Sequence, residues 1–278
     1  MDYKMSFDVN LELLKNKIDE SDLILIGIGE QFEIGFSVLK NSEIYKIFLS
    51  KIEKEKLKEE DYAWVYPFLL SKAMNNSPIV SEIQIAYQNL MQMIDNKNYF
   101  IITMNMDDLI YQVGFKEDRI VAPFGNYHFL QCDNGCSEEL SESKKISEFI
   151  INSIENDKCK LVELNQPICK KCKEHFVFNN VNAKKYIESG YINQWKKYTT
   201  WIQGIMNKKV CILELGVILN YPSMIRFPFE KMAFYNQKST FIRVNGILPQ
   251  LTEELSGKGI SIPENPITLL RKEIVNKE

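Results

Sequence analysis

Five short β-prone runs, LILIGI from residue 23, YFIITM from 99, RIVAP from 119, KVCILELGV from 209 and STFIRVN from 239, are separated by stretches with helical spacing. Apolar runs this short suit strands covered on both faces, and strand–helix–strand alternation builds a parallel sheet. The helical stretches begin with Val9, Leu11, Leu14 and Ile18 and continue through a charged, helix-rich part over 31–97 that ends in a helix from about Val80, with Ser77 and Pro78 at its start. NMDDLIYQVG reads as a helix closing on Gly114, and further helices are expected over 191–205, 223–234 and 264–278. The fold class is therefore α/β: a Rossmann-like, doubly wound parallel sheet with a helical module. In such sheets ligands gather at the carboxyl ends of the strands, here near Gly27 to Glu30, Thr103 to Asp107, Pro123 to Asn126, Gly216 to Asn220 and Asn245 to Gly246.

One segment breaks the alternation. Residues 124–180 carry four of the six cysteines as CDNGC (Cys132, Cys136) and CKKC (Cys169, Cys172). Two closely spaced pairs suit a tetrahedral structural zinc, which needs four ligands and no open position. Lys170, Lys171 and Lys173 crowd the second pair, which favours its thiolates. Four reduced, unliganded thiols are the alternative, and His175 could replace one ligand. Cys159 stands alone, and Cys211 reads as a small core residue. The division expected is a large domain from 1–123 and 181–278 with a small zinc-binding module at 124–180.

Composition excludes some functions. Lys+Arg of 34 against Asp+Glu of 37 provides no basic field for nucleic acid, and no secretory core or apolar window of about 18 residues points to export or a membrane. A cytoplasmic protein without nucleic-acid or membrane partners is expected. Taken alone, Gly27 and Gly29 make a weak phosphate fingerprint, because Phe32 holds the position of the third glycine and a tight turn explains the pair equally well. Asn105 and Asp107, after the strand ending at Thr103, likewise read as helix caps or as ligand contacts.

The order of these features resembles the sirtuin family over residues 22–246. The Gly-x-Gly strand is followed by T-x-N-x-D at a strand end, PFGNYHFLQC, paired cysteines, LELGV and IRVN. DYAWVYPFLLSKAMNN, DKCKLVELNQPICKKCK and LELGVILNYPSMIRFPFEKM are most similar to the class M bacterial branch, associated with protein ADP-ribosylation. The resemblance implies a cleft for NAD and a protein substrate, with cleavage of the nicotinamide–ribose bond. It implies Asn105 and Asp107 as catalytic residues, and Gly27, Gly29, Thr103, Gly125, Gly216 and Asn245 beside them as cofactor contacts. It also exposes departures. Phe124 stands where sirtuins carry histidine or glutamine, and a phenyl ring cannot take a proton. His128 could substitute or be structural. The small-residue loop over the phosphates is replaced by EQFE, which puts Glu30 near the phosphates, while Ile218, Leu219 and Tyr221 add bulk. Two functions follow: an NAD-dependent ADP-ribosyltransferase acting on protein, or a degenerate sirtuin that binds a protein partner with weak or no turnover. A nucleotide-binding regulator would explain the sheet but not the cysteines.

Overall fold

The computed structural model describes residues 2–74, 77–156 and 160–272, with side chains from Val9 onward. The elements run α1 (Asp2–Asp19), β1 (Leu23–Ile28), α2 (Phe36–Lys40), α3 (Glu43–Lys54), α4 (Tyr66–Met74), α5 (Pro78–Ile94), β2 (Asn98–Thr103) and β3 (Ile120–Val121). The interrupting segment supplies β4 (Gly125–Cys132), β5 (Ser141–Glu142), α6 (Lys144–Glu155) and β6 (Phe176–Asn180). The chain then closes with α7 (Ile192–Gly204), β7 (Val210–Leu215), α8 (Arg226–Tyr235), β8 (Ser239–Val244), β9 (Gly259–Ile262) and α9 (Pro266–Leu270).

Six strands form one sheet in the order β3-β2-β1-β7-β8-β9, and every pairing is parallel. Counted within this sheet the order is 3-2-1-4-5-6, the doubly wound arrangement whose switch point lies between β1 and β7. Successive side chains of a strand point to opposite faces, so β1 feeds two cores. Ile24, Ile26 and Ile28 pack among α1, α5 and α9, whereas Leu25 packs with Tyr198 of α7 and Phe229 and Ala233 of α8. Gly27 faces α8: a β-carbon there would lie 2.3 Å from Ile225 and 2.8 Å from Phe229. Its lack of a side chain lets the helix approach the sheet.

The second sheet, β5-β4-β6, is antiparallel and lies in the cysteine-bearing segment. Its helix α6, not among the helices expected above although Ile146, Phe149, Ile150 and Ile154 recur at helical spacing, buries Ile150 and Ile154 and packs on α3 and α4. Phe68 of α4 meets Phe178 of β6 at 4.6 Å between ring centroids, Lys72 pairs with Glu155 at 3.0 Å, and the buried Lys51 donates to the Ser153 carbonyl at 3.1 Å. The two excursions from the main sheet thus share one core.

Four local expectations change. Val9 is exposed, and α1 turns Leu11, Leu14 and Ile18 inward instead. NMDDLIYQVG forms a 3-10 turn over Leu109–Val113 that ends on Gly114 at φ +98°, because Asp107 folds its side chain back on the Leu109 N–H at 3.1 Å. α5 starts at Pro78, and Ser77 makes no side-chain cap. The edge strand β9 had no signal in the sequence. Cys159 and residues 273–278, within the expected last helix, lie outside the described residues.

Candidate active site and metal centre

The four cysteines sit on two knuckles of the small sheet's lobe. Cys132 ends β4, Cys136 follows a turn through Gly135 at φ +58°, and Cys169 and Cys172 lie on a turn that closes at Lys173, where φ is +65°. The N–H groups of Gly135 and Lys173 donate to the Cys132 and Cys169 carbonyls, each at 2.9 Å, which curls both loops about their sulfurs. The Sγ atoms of Cys132 and Cys172 lie 3.4 Å apart, those of Cys136 and Cys169 3.5 Å apart, and all four fall within 4.8 Å of one another. Zinc with bonds of about 2.3 Å places tetrahedral sulfurs about 3.8 Å apart, so the cluster fits a structural zinc. His175 is exposed and outside the cluster. Of the crowding lysines, Lys171 interacts electrostatically with Cys136 and Cys169, although its main partner is Glu139. Lys171 is engaged with Glu139 and Ser137, each at 3.0 Å, while the backbone N–H groups of Cys172 and Lys171 hold the Cys169 thiol down at about 6.

At the carboxyl ends of β1 and β7 the chain makes a tight double turn. Gly29 N–H donates to Leu215 O at 2.9 Å, Gln31 N–H to Gly216 O at 3.1 Å, and Gly216 N–H to Val244 O at 2.9 Å. A β-carbon on Gly29 would come within 2.4 Å of Val217 Cα, and Gly216 sits at φ +65°. Both glycines therefore serve close backbone approach at the switch point. Glu30 closes this turn: its Oε2 accepts the Ile218 N–H at 3.0 Å, and its Oε1 is buried without a partner. Asn245 is wholly enclosed and fully engaged. Its Oδ1 accepts from Gln31 Nε2 at 2.7 Å, Ile247 N–H at 2.9 Å and Leu248 N–H at 2.8 Å, and its Nδ2 donates to Val217 O at 2.7 Å.

At the end of β2, Thr103 Oγ1 accepts the Asn105 N–H at 3.1 Å. Asn105 and Asp107 are buried, and each leaves one acceptor, Asn105 Oδ1 and Asp107 Oδ2, without a partner. Tyr87, stacked on Phe32 at 5.1 Å, holds Asn105 through a contact of 3.4 Å to Nδ2. Burial, reinforced by Asp108 and Glu33, pushes the Asp107 carboxyl up to about 7 despite the Leu109 N–H. Burial also lifts Asp108 to about 6, opposed by His128. Unpaired buried acceptors are costly unless a donor arrives, which marks this corner as a place for an N–H or O–H group of a ligand.

Gly125 opens the second sheet next to the ends of β3 and β2: its N–H donates to Ala122 O at 3.0 Å, and Tyr127 N–H donates to Met106 O at 3.3 Å. It takes φ +77°, and a β-carbon would fall 2.1 Å from Asn179 O, so it serves the β4–β6 crossing. The neighbouring Phe124 meets Tyr221 edge to face at 4.8 Å, joining the small sheet to the loop after β7. His128 is exposed and its ring packs against Phe129 at 4.7 Å. A cavity of about 800 Å³ lies among α2, α3 and the start of α5 with Glu33 on its wall, but Asn105, Asp107 and Asn245 do not line it.

A buried charge network lies beneath the loops after β7 and β8. Arg243 holds Glu214 through two bonds of 2.6 and 3.0 Å and Glu230 at 2.6 Å. Arg226 approaches Glu214 at 3.6 Å and donates to the carbonyls of Val217, Leu248 and Gln250 at 3.2–3.3 Å. The sequence carried a signal for it: Glu214 and Arg243 interrupt two otherwise apolar strands at positions that pair in register.

No family model matches the chain. Its architecture is the sirtuin fold. A structure concerned with sirtuin substrate affinity and one concerned with the mechanism and regulation of Sir2 enzymes align with TM-scores of 0.52 and 0.53, at 15% and 12% identity, over 94% of this chain and 96% and 93% of theirs. In sequence, the chain is 22% identical to the protein ADP-ribosyltransferase of Staphylococcus aureus strain Mu50, over 95% of this chain and 87% of that protein. It is also 26% identical to the probable bifunctional ADP-ribose hydrolase/ADP-ribosyltransferase of Fusarium oxysporum f. sp. cubense, over 62% of this chain and only 29% of that protein. Among the described residues no helix is long and apolar enough to cross a membrane.

Proposed function

We propose that the protein is an NAD-dependent ADP-ribosyltransferase of the class M sirtuin type, acting on a protein substrate. The observation that carries this reading is the pair of buried, unpartnered acceptors Asn105 Oδ1 and Asp107 Oδ2 at the end of β2. They match the donors of a carboxamide. NAD bound there supplies an ADP-ribosyl group with nicotinamide as the leaving group. Asp107 holds the carboxamide, Asn105 lies toward the nicotinamide ribose, and Thr103 positions Asn105. Fixed hydrogen bonds to the leaving amide contribute to the rate when they strengthen as the bond breaks. Gly29 and Gly216 let the backbone approach the cofactor. The large domain is 1–123 with 181–278, and the small zinc-bearing module, 124–180, closes the other side.

The phosphate end fits less well. Ile218 N–H is spent on Glu30, and Asn245 is wholly buried with its Oδ1 taken by three donors. Phe124, locked against Tyr221, offers no base. These three observations favour a second reading, a degenerate sirtuin that binds a protein partner with little or no turnover. Calorimetry of zinc-loaded protein with NAD and ADP-ribose, in magnesium-containing buffer, separates the two. Binding with nicotinamide release that falls in Asp107→Ala supports the enzyme. Absence of binding at millimolar ligand removes the enzyme reading.

A further inference from the structure

The seam between the helical excursion and the small sheet is not filled. Phe36 of α2, Trp64 just before α4 and Phe68 of α4 line one side of a cavity of about 190 Å³, and Tyr127 of β4 with Phe176 and Phe178 of β6 lines the other. No charged side chain lines it, although 26% of the chain is charged. Protein interiors ordinarily pack as densely as organic crystals, and an apolar void of roughly 150 Å³ already holds a benzene ring. The cavity is reached from outside, since Phe36 keeps 46% of its surface exposed and Asn182 on the same wall is exposed as well.

Two amides on the wall carry hydrogen-bonding capacity that the fold does not use. Asn180 is only 3% exposed; its Oδ1 accepts the Asn182 N–H at 3.1 Å, and its Nδ2 has no acceptor among the described residues. Gln166 makes no side-chain hydrogen bond among them either. A buried donor left open is costly in a finished core and is accounted for when a ligand brings an acceptor. Aromatic rings with an unmatched N–H beside them suit one residue of a peptide, its apolar side chain in the cavity and its carbonyl on Asn180 Nδ2. Gln166 offers the donor and acceptor that a second peptide group needs. A wall without charge disfavours an acidic or basic side chain as the occupant.

The cavity adjoins the candidate active site. Tyr127 N–H donates to Met106 O at 3.3 Å, and Asn182 Nδ2 approaches Met106 Sδ at 3.9 Å. Met106 separates Asn105 from Asp107 in the chain, the pair whose unpartnered acceptors carry the proposed function. We propose that this cavity docks a large apolar side chain of the protein substrate, with Asn180 holding the adjoining peptide carbonyl, next to the residue that receives ADP-ribose. This rests on the protein-substrate part of that reading and adds to it a requirement on the sequence around the modified residue.

Full-length, zinc-loaded protein carrying 13C-methyl methionine, titrated with N-acetylphenylalanine methylamide, tests the pocket without NAD. The Met106 methyl resonance should move, and that of the exposed Met206 after α7 should not. Binding should be about ten-fold or more tighter than that of N-acetylalanine methylamide. Ala183→Phe, which fills the cavity from its own wall, should abolish it. Phe36→Ala removes a wall residue that is already half exposed and should weaken it without unfolding the protein. Asn180→Asp keeps the acceptor for Asn182 and replaces the donor, so it should weaken the phenylalanine amide while toluene binds as it does to the wild type. Equal affinity for the two amides overturns the proposal, as does an unmoved Met106 resonance or binding that survives Ala183→Phe. Toluene binding alone would mark an apolar void and equally overturn a peptide site. Each of these failures leaves the NAD reading standing, because NAD and ADP-ribose binding are measured separately.

Discussion

Changing Glu214 to alanine should be among the most damaging single substitutions in the large domain. Its side chain is fully buried, and it is the shared anion for Arg243, also fully buried, and Arg226. Removing it leaves two guanidinium groups sharing one anion, Glu230, at 2.6 Å from Arg243 and 3.9 Å from Arg226, besides their backbone carbonyls. Breaking a buried pair by deleting one partner costs roughly 3–5 kcal/mol, because the remaining charge stays desolvated. At roughly 2–4 °C per kcal/mol for a chain of this size, thermal unfolding followed by circular dichroism should show a midpoint lowered by roughly 6–20 °C. Replacing both members, Glu214→Met with Arg243→Met, removes the stranded charge and should recover at least half of the loss. A single variant that melts within about 2 °C of the wild type would refute the reasoning. So would a double variant that melts no higher than the single one.

Other outcomes follow from the same geometry. Burial raises the Asp107 pKa from 3.8 to about 7, so its stabilising share is complete below the unfolded value and is lost as pH rises through about 7. Asp107→Asn should therefore leave stability near pH 4 unchanged and raise it near pH 8 by up to about 4 kcal/mol, checked by urea unfolding at both pH values. Gly216→Ala forces a side chain onto φ +65° and to 2.6 Å from Gln31 Cβ, and should cost about 1–3 kcal/mol in the same assay. Metal analysis should find a single zinc per chain, and Cys136→Ser or chelation should release it and expose the β4–β6 lobe to protease. Less than half an equivalent of zinc after gentle purification would count against the site.

Much of this was legible in the sequence where a residue type had one physical use. Short, mostly apolar, β-branched runs located β1, β2, β7 and β8, because strands covered on both faces tolerate them. The paired cysteines located the four-thiol cluster, because thiols so spaced suit a tetrahedral metal. What was hidden depended on contacts between distant segments. Gly27 looked like part of a phosphate loop, yet its immediate neighbours are Ile225 and Phe229 of the α8 region. Asn245 looked available to a ribose, but four internal hydrogen bonds claim its amide. Helix α6 was legible in principle, since Ile146, Phe149, Ile150 and Ile154 recur at helical spacing, but its packing on α3 and α4 was not. Glu30 was legible as a charge in the wrong place, while its attachment to Ile218 was not.

The central strand has a consequence for how the chain is made. β1 leaves the ribosome well before its partner β7, which follows about 190 residues later. At roughly 5–20 residues per second, Leu25 and its neighbours wait on the order of ten to forty seconds with one edge unpaired. β2 can cover the other edge earlier, together with α1 and α5. The nascent protein therefore passes through a half-sheet with an apolar edge, and chaperone binding during synthesis should concentrate in the window before Val210–Leu215 emerges.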